Sequence, residues 1–188
     1  MSTVYQLTDS ITTVKGIGPA TAEKLSRLGI ETIRDLFHHY PSRYLDFTTP
    51  VLIKDLKEGE TQTFTAGITS PKSFYTGTGK LMTQATAHDS SGKITLTWFN
   101  NPYIKRLLDE NETYTIAGKV TFWGRGKTII SPYFESGDKP SINTRGLVPI
   151  FPQTEGVTSK MLRAKIFTLL ESTQIDDPLD TSALTQTD

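Results

Sequence analysis

The sequence predicts a mixed, mainly β fold: a five-stranded barrel with a short helical lead-in and one helix after it. Three observations predict it. From residue 61 onward, threonine and β-branched residues dominate short runs bounded by glycine, the composition of strands. Those runs come as three, then a helical segment, then two more. Ahead of them, apolar residues recur at helical spacing between a proline and a glycine.

In the lead-in, Pro19 suits a first helical position, and Ala22, Leu25 and Leu28 share one face. Gly29 stops that helix. Thr32 and Asp35 have capping-box spacing. Ile33, Leu36, Phe37 and Tyr40 continue at helical spacing until Pro41. Residues 41–60 read as irregular. Strands are expected near 61–70, 80–89, 93–99, 113–122 and 128–134. Between the third and fourth lies a helix with Asn101 as cap and Pro102 at its first position. This order is that of the oligonucleotide-binding (OB) barrel. Residues 137–156, with Pro140, Pro149 and Pro152, read as loop, and 158–171 as a helix. Its apolar side carries Met161, Leu162, Ile166 and Leu169, with Lys165 contributing its stem. Four regions are therefore expected: a lead-in (1–60), the barrel (61–135), a linker with its helix (136–172) and a polar tail (173–188).

Charge sharpens that division. Lys+Arg and Asp+Glu both number 20, so the formal net charge is zero. Residues 61–134 nevertheless hold eight Lys/Arg against four Asp/Glu, whereas 173–188 hold four Asp and no Lys or Arg. The tail has the composition of a disordered segment. With no cysteine, disulfides, thiolate metal sites and a cysteine nucleophile are excluded, which suits a reducing cytoplasm. No apolar run approaches the ~20 residues of a membrane span. The expected protein is a cytoplasmic monomer without a membrane partner.

Three groups of residues could carry function. Lys15-Gly16-Ile17-Gly18 before Pro19 fits a helix-hairpin-helix turn. Two glycines can aim backbone amides at a phosphate, with Lys15 as added charge; a tight turn packing two helices fits equally. The rims of the barrel come next. Lys72, Phe74, Tyr75 and Lys80 surround the first hairpin, and Phe122, Trp123, Arg125 and Lys127 surround the last. Basic and aromatic residues interleaved on both rims suit backbone tracking with base stacking. A ring that merely closes the barrel is the alternative for any single one. Last, Trp98 falls on the inward face of strand 93–99, and Phe99 on the outward face with Tyr103 just beyond. Phe99 and Tyr103 are expected side by side, packed on each other or under a neighbouring loop.

Enzyme signatures fail on spacing. Gly124-Arg125-Gly126-Lys127-Thr128 imitates the end of a phosphate-binding loop, but a strand should follow it. His88-Asp89-Ser90 are adjacent in a turn and cannot take triad geometry. Neighbouring His38 and His39 diverge on a helix. No catalytic residue, metal or cofactor is expected.

The chain resembles the N-terminal part of the RecG family of bacterial ATP-dependent helicases. The matching runs are Val14-Lys15-Gly16-Ile17-Gly18-Pro19, Leu28-Gly29-Ile30-Glu31-Thr32 and Pro41-Ser42-Arg43-Tyr44-Leu45-Asp46. They continue with Asp89, Gly92, Phe99-Asn100, Gly118-Lys119-Val120 and Val148-Pro149-Ile150-Phe151-Pro152, through Arg163 to Ile166. Phe47 and Ser131-Pro132-Tyr133-Phe134 depart from the family pattern. The resemblance implies a wedge at a replication fork or Holliday junction, with Phe99 and Tyr103 stacking on unpaired bases. It implies branched or single-stranded DNA as partner, and C-terminal motor domains that alone would use ATP and Mg2+. A stand-alone single-strand DNA or RNA binder, or a protein-docking scaffold, remains as an alternative.

Overall fold

The structure is a computed structural model and describes residues 4–123, 126–137 and 141–172. Arg125 and the tail 173–188, on which two expectations fall, lie outside the described residues. The elements run α1 (Pro19–Ser26), α2 (Ile33–His38), β1 (Arg43–Phe47), β2 (Thr61–Tyr75), β3 (Leu81–His88) and β4 (Lys93–Phe99). Then come α3 (Ile104–Leu107), β5 (Thr113–Trp123), β6 (Gly126–Ile130), β7 (Tyr133–Ser136), β8 (Gly146–Ile150) and α4 (Ser159–Leu170). The described residues divide into two compact units, one lying within 1–43 and 149–188, the other within Tyr44–Val148.

That division differs from the expected one. Residues 44–60 belong with the barrel, and α4 belongs with the lead-in rather than to a separate linker. The reason is apolar burial. Leu162 and Leu169 of α4 join Ile11, Val14, Ile17, Leu25, Ile30, Ile33 and Leu36 in one core. Each such side chain contributes roughly 1.5–3 kcal/mol by leaving water, and α1 and α2 are too short to bury their own faces. Pro19 does open α1, and Gly29 takes φ 75° behind it, a conformation only glycine adopts without strain. The Thr32–Asp35 capping box is present in both directions. Tyr40 lies beyond α2 and is exposed. The residue before Pro41 is pushed away from helical geometry, which ends the helix early.

Two strands were missed in segments read as loop: β1 and β8, which pair in a two-stranded sheet. Phe47 and Val148 bury against Ala117 of β5, so Phe47, a departure from the family pattern, is a packing residue.

The barrel closes as β2-β3-β4-β6-β5, with β5 returning to β2 over Thr61–Gly67. β4 and β6 run parallel, the other barrel pairs antiparallel. The expected fifth strand is broken in two. β6 pairs with Val120–Trp123 and β7 with Tyr114–Ala117 on the same edge of β5. Ser131, at φ 49°, and Pro132 make the break, because proline has no N–H for the ladder. The fold is a five-stranded OB barrel with a split last strand. Its interior holds Phe64, Ile68, Ile94, Leu96, Trp98, Tyr114, Ile116, Val120 and Ile129. α3 begins at Ile104 with Tyr103 as its cap, later than expected, because Asn101 Oδ1 accepts from the Tyr103 amide in a turn.

Candidate nucleic-acid interface

Side chains alternate across a strand, so the interior of the barrel fixes what lies outside. With Leu96 and Trp98 inside, Thr95, Thr97 and Phe99 face out. Register then aligns neighbouring strands. Phe74 of β2 stands opposite Met82 of β3, and Met82 opposite Phe99 of β4. The Phe99 ring centroid lies 5.3 Å from that of Trp123, tilted 49°. Phe74, Met82, Phe99 and Trp123 therefore make one apolar row across four strands. Beside it runs a polar row: Lys72 opposite Gln84, and Gln84 opposite Thr97. Two depressions of about 360 and about 180 Å3 lie along these rows and share Gln84 and Thr95. They form one shallow trough, with Phe74 and Lys72 at one end and Trp123 and Lys127 at the other.

Each residue expected in the site can now be placed. Phe99 is half-buried, and among the described residues its ring partner is Trp123 rather than Tyr103. The side-by-side pairing of Phe99 with Tyr103 is corrected: α3 starts late and leaves Tyr103 exposed at its cap. Phe74 and Trp123 are both partly exposed on the trough. Tyr75 is exposed on the opposite side of β2, opposite Leu81, as alternation demands. Phe122 is likewise exposed, one residue out of phase with Trp123. Lys72 and Lys80 are exposed. The turn holding Lys80 is closed by its carbonyl accepting from the Thr76 amide at 2.9 Å. Lys127 Nζ donates to the Leu56 carbonyl at 2.9 Å, which anchors its stem along the trough wall. Gly126-Lys127-Thr128 is strand, not the helix start a phosphate-binding loop needs.

The Gly-x-Gly segment lies in the other unit. Gly16 takes φ 78°, and Gly18 caps α1 with no side-chain bond. Lys165 of α4 donates its ammonium to the Lys15 carbonyl, and a Cβ at Gly16 would fall 2.9 Å from that nitrogen. Lys15, Gly16 and Gly18 thus form a tight turn against α4, with a second cation beside it. Sequence reasoning gave Lys165 only a packing stem. Met82 and Gln84 were also missed. The outward position of Gln84 was readable from alternation, but the apposition of Met82 to two rings needed the register.

Two acidic groups organise the loops of the barrel unit. Asp89 is pushed up by burial, but hydrogen bonds from the Ser91 hydroxyl and the amides of Ile53, Ser91 and Gly92 outweigh that, holding it at about 2. Burial also raises Glu135, and the hydroxyls of Thr144 and Ser141 with the Asn143 amide bring it below the ordinary range. Neither faces the trough; both pin connections.

Comparison with known proteins places this architecture. A family model for the RecG wedge domain matches residues 10–171. The ATP-dependent DNA helicase RecG of Bacillus subtilis is 33% identical over 174 residues, covering 90% of this chain and 25% of the relative. The RecG of Thermotoga maritima is 31% identical over 168 residues, covering 86% of this chain and 21% of the relative. The chain thus spans about a quarter of the length of these curated relatives. A solved structure of RecG bound to a three-way DNA junction superposes with TM-score 0.76 at 26% identity, over 95% of this chain and 24% of that one. With the RecG wedge match running through both units, this chain belongs to the RecG wedge domain family.

Proposed function

We propose that this chain binds branched DNA and acts as the strand-separating wedge of a RecG-like helicase at replication forks and Holliday junctions, in recombination and repair. The observation that carries the reading is the row of rings on an outward, half-wet barrel face, with lysines at both ends. An apolar row on a solvent face is costly unless a partner covers it. Unpaired bases supply flat apolar surface, and their phosphates meet Lys72, Lys80 and Lys127. The similar RecG seen on a three-way junction supports DNA as that partner.

Phe99 and Trp123 together hold one base, and Tyr103 a second. Splitting a duplex exposes bases that otherwise lose their stacking, and rigid rings at the branch replace part of it. Work against base pairing is done elsewhere. On this reading ATP and Mg2+ belong to motor domains of the same protein, the chain alone turns over no ATP, and it acts as a monomer in the cytoplasm. The Lys15-Gly16-Ile17-Gly18 turn, with Lys165, contacts backbone phosphate.

The test is binding of this chain to a model fork, linear duplex and single strand of equal length at one stated salt concentration. The fork is expected to bind most tightly. Equal affinity for fork and linear duplex sinks the wedge, and a preference for the single strand favours a stand-alone strand binder. Absence of binding to all three favours a protein-docking scaffold.

A further inference from the structure

The hydroxyls of the trough fix the orientation of an amide. Thr128 Oγ1 donates to the Thr95 carbonyl at 2.9 Å, which commits its single proton. Thr97 Oγ1 lies 3.3 Å from Thr128 Oγ1, and so must be the donor of that pair. With its own proton spent, Thr97 can only accept from Gln84, 3.3 Å away. The Gln84 atom facing it is then the amide nitrogen, the orientation this hydrogen-bond network assigns. Thr97 is fully buried and Thr128 nearly so, which keeps the relay closed to water. Gln84 Oε1 lies on the other side of its amide. Among the described residues nothing donates to it. Gln84 lines both halves of the trough, beside the row of rings.

We infer that Gln84 Oε1 is a base-reading acceptor, and that a DNA strand crossing this trough is favoured where it presents a base bearing an amino group. The inference rests on the strand-binding reading above. Cytosine N4 and adenine N6 carry donors at a corner of the ring, within reach of an acceptor on the trough floor. Thymine and uracil carry a carbonyl oxygen there, which repels Oε1. Their one donor, N3–H, sits between two carbonyls.

Hexamers of deoxycytidine and deoxyuridine give the direct test, since single-strand sites on such barrels start at about four nucleotides. The two bases stack alike and differ only in the C4 substituent and the N3 proton. The deoxycytidine hexamer is expected to bind this chain roughly two- to ten-fold more tightly, the worth of one hydrogen bond. Gln84→Met keeps the length of the side chain and should abolish the difference between the two hexamers, weakening deoxycytidine and relieving the repulsion of deoxyuridine. Thr97→Val frees the amide to turn and should shrink the preference while both hexamers still bind; it decides the matter if Gln84→Met does not fold. Equal affinity in the unmodified chain overturns the inference, as does a deoxycytidine preference that survives both substitutions. Fork binding without hexamer binding overturns this inference alone, and loss of both takes the proposed function with it.

Discussion

Ile94, Leu96 and Trp98 enter the barrel, and Thr95, Thr97 and Phe99 leave it, from one strand of seven residues. The inward set is closed by its own contacts. The Trp98 ring meets Phe134 edge-on at 5.7 Å, and its Nε1 donates to the Pro132 carbonyl at 3.4 Å. The outward set is closed only in part. The Thr97 hydroxyl pairs with that of Thr128, whereas Phe99, half-buried, rests on the Trp123 ring. The two faces separate duties by position parity: inward residues hold the barrel together, and outward Thr95 and Phe99, both only half-buried, remain available to a ligand.

Trp98→Ala should produce the largest effect, a loss of roughly 3–5 kcal/mol of stability measured by chemical unfolding. A loss below ~1 kcal/mol would break the division between the faces. Gly118→Ala should come next. A Cβ there would collide with Ile129 Cγ2 inside the barrel, so about 1–3 kcal/mol should be lost through overpacking. The outward counterpart, Phe99→Ala, should cost less than Trp98→Ala, about 1–3 kcal/mol of stability, from its contact with Trp123 and the burial of about half its ring.

Smaller effects sharpen the same comparison. Asp89 and Glu135 both have folded values below their unfolded ones, so their stabilisation is complete only above about pH 5, past the ordinary carboxylate range, and is lost as pH falls, for Asp89 down through about 2. The thermal midpoint should be level between pH 8 and 5 and drop below 4, and Asp89→Asn should flatten that drop. Fork affinity should respond to salt instead. With Lys72, Lys80 and Lys127 as the described cations of the rims, log K should fall against log salt with a slope of about −2 to −3. A level salt response would leave the outward face without an electrostatic role.

What could be read from sequence follows the range of each signal. The capping box at Thr32, the stop at Gly29 and the inward place of Trp98 are local, and period or spacing suffices for them. β1 and β8 escaped because each is five residues long, and proline or glycine punctuation around them imitates loop. The attachment of α4 to the lead-in escaped because an apolar stripe states that a helix is buried, not against what. Phe99 was legible as a large ring on a polar face. Its partnership with Trp123 depended on how β5 returns past β4 through β6, which no local pattern encodes. Met82 escaped for the same reason.

The central claim is that the outward face of the barrel, not its folded integrity alone, grips DNA at a branch. The most direct measurement is the affinity of Phe99→Ala for a model fork at fixed salt, on protein whose unfolding curve shows it fully folded. Stacking on an aromatic is worth about 1–3 kcal/mol per base, so affinity should fall roughly 5- to 150-fold. Tyr103→Ala, measured alongside, should lose binding within the same range with no loss of stability, since its ring is exposed. Folded Phe99→Ala that binds the fork as tightly as the unmodified chain would contradict the account and return Phe99 to the role of a packing residue beside Trp123.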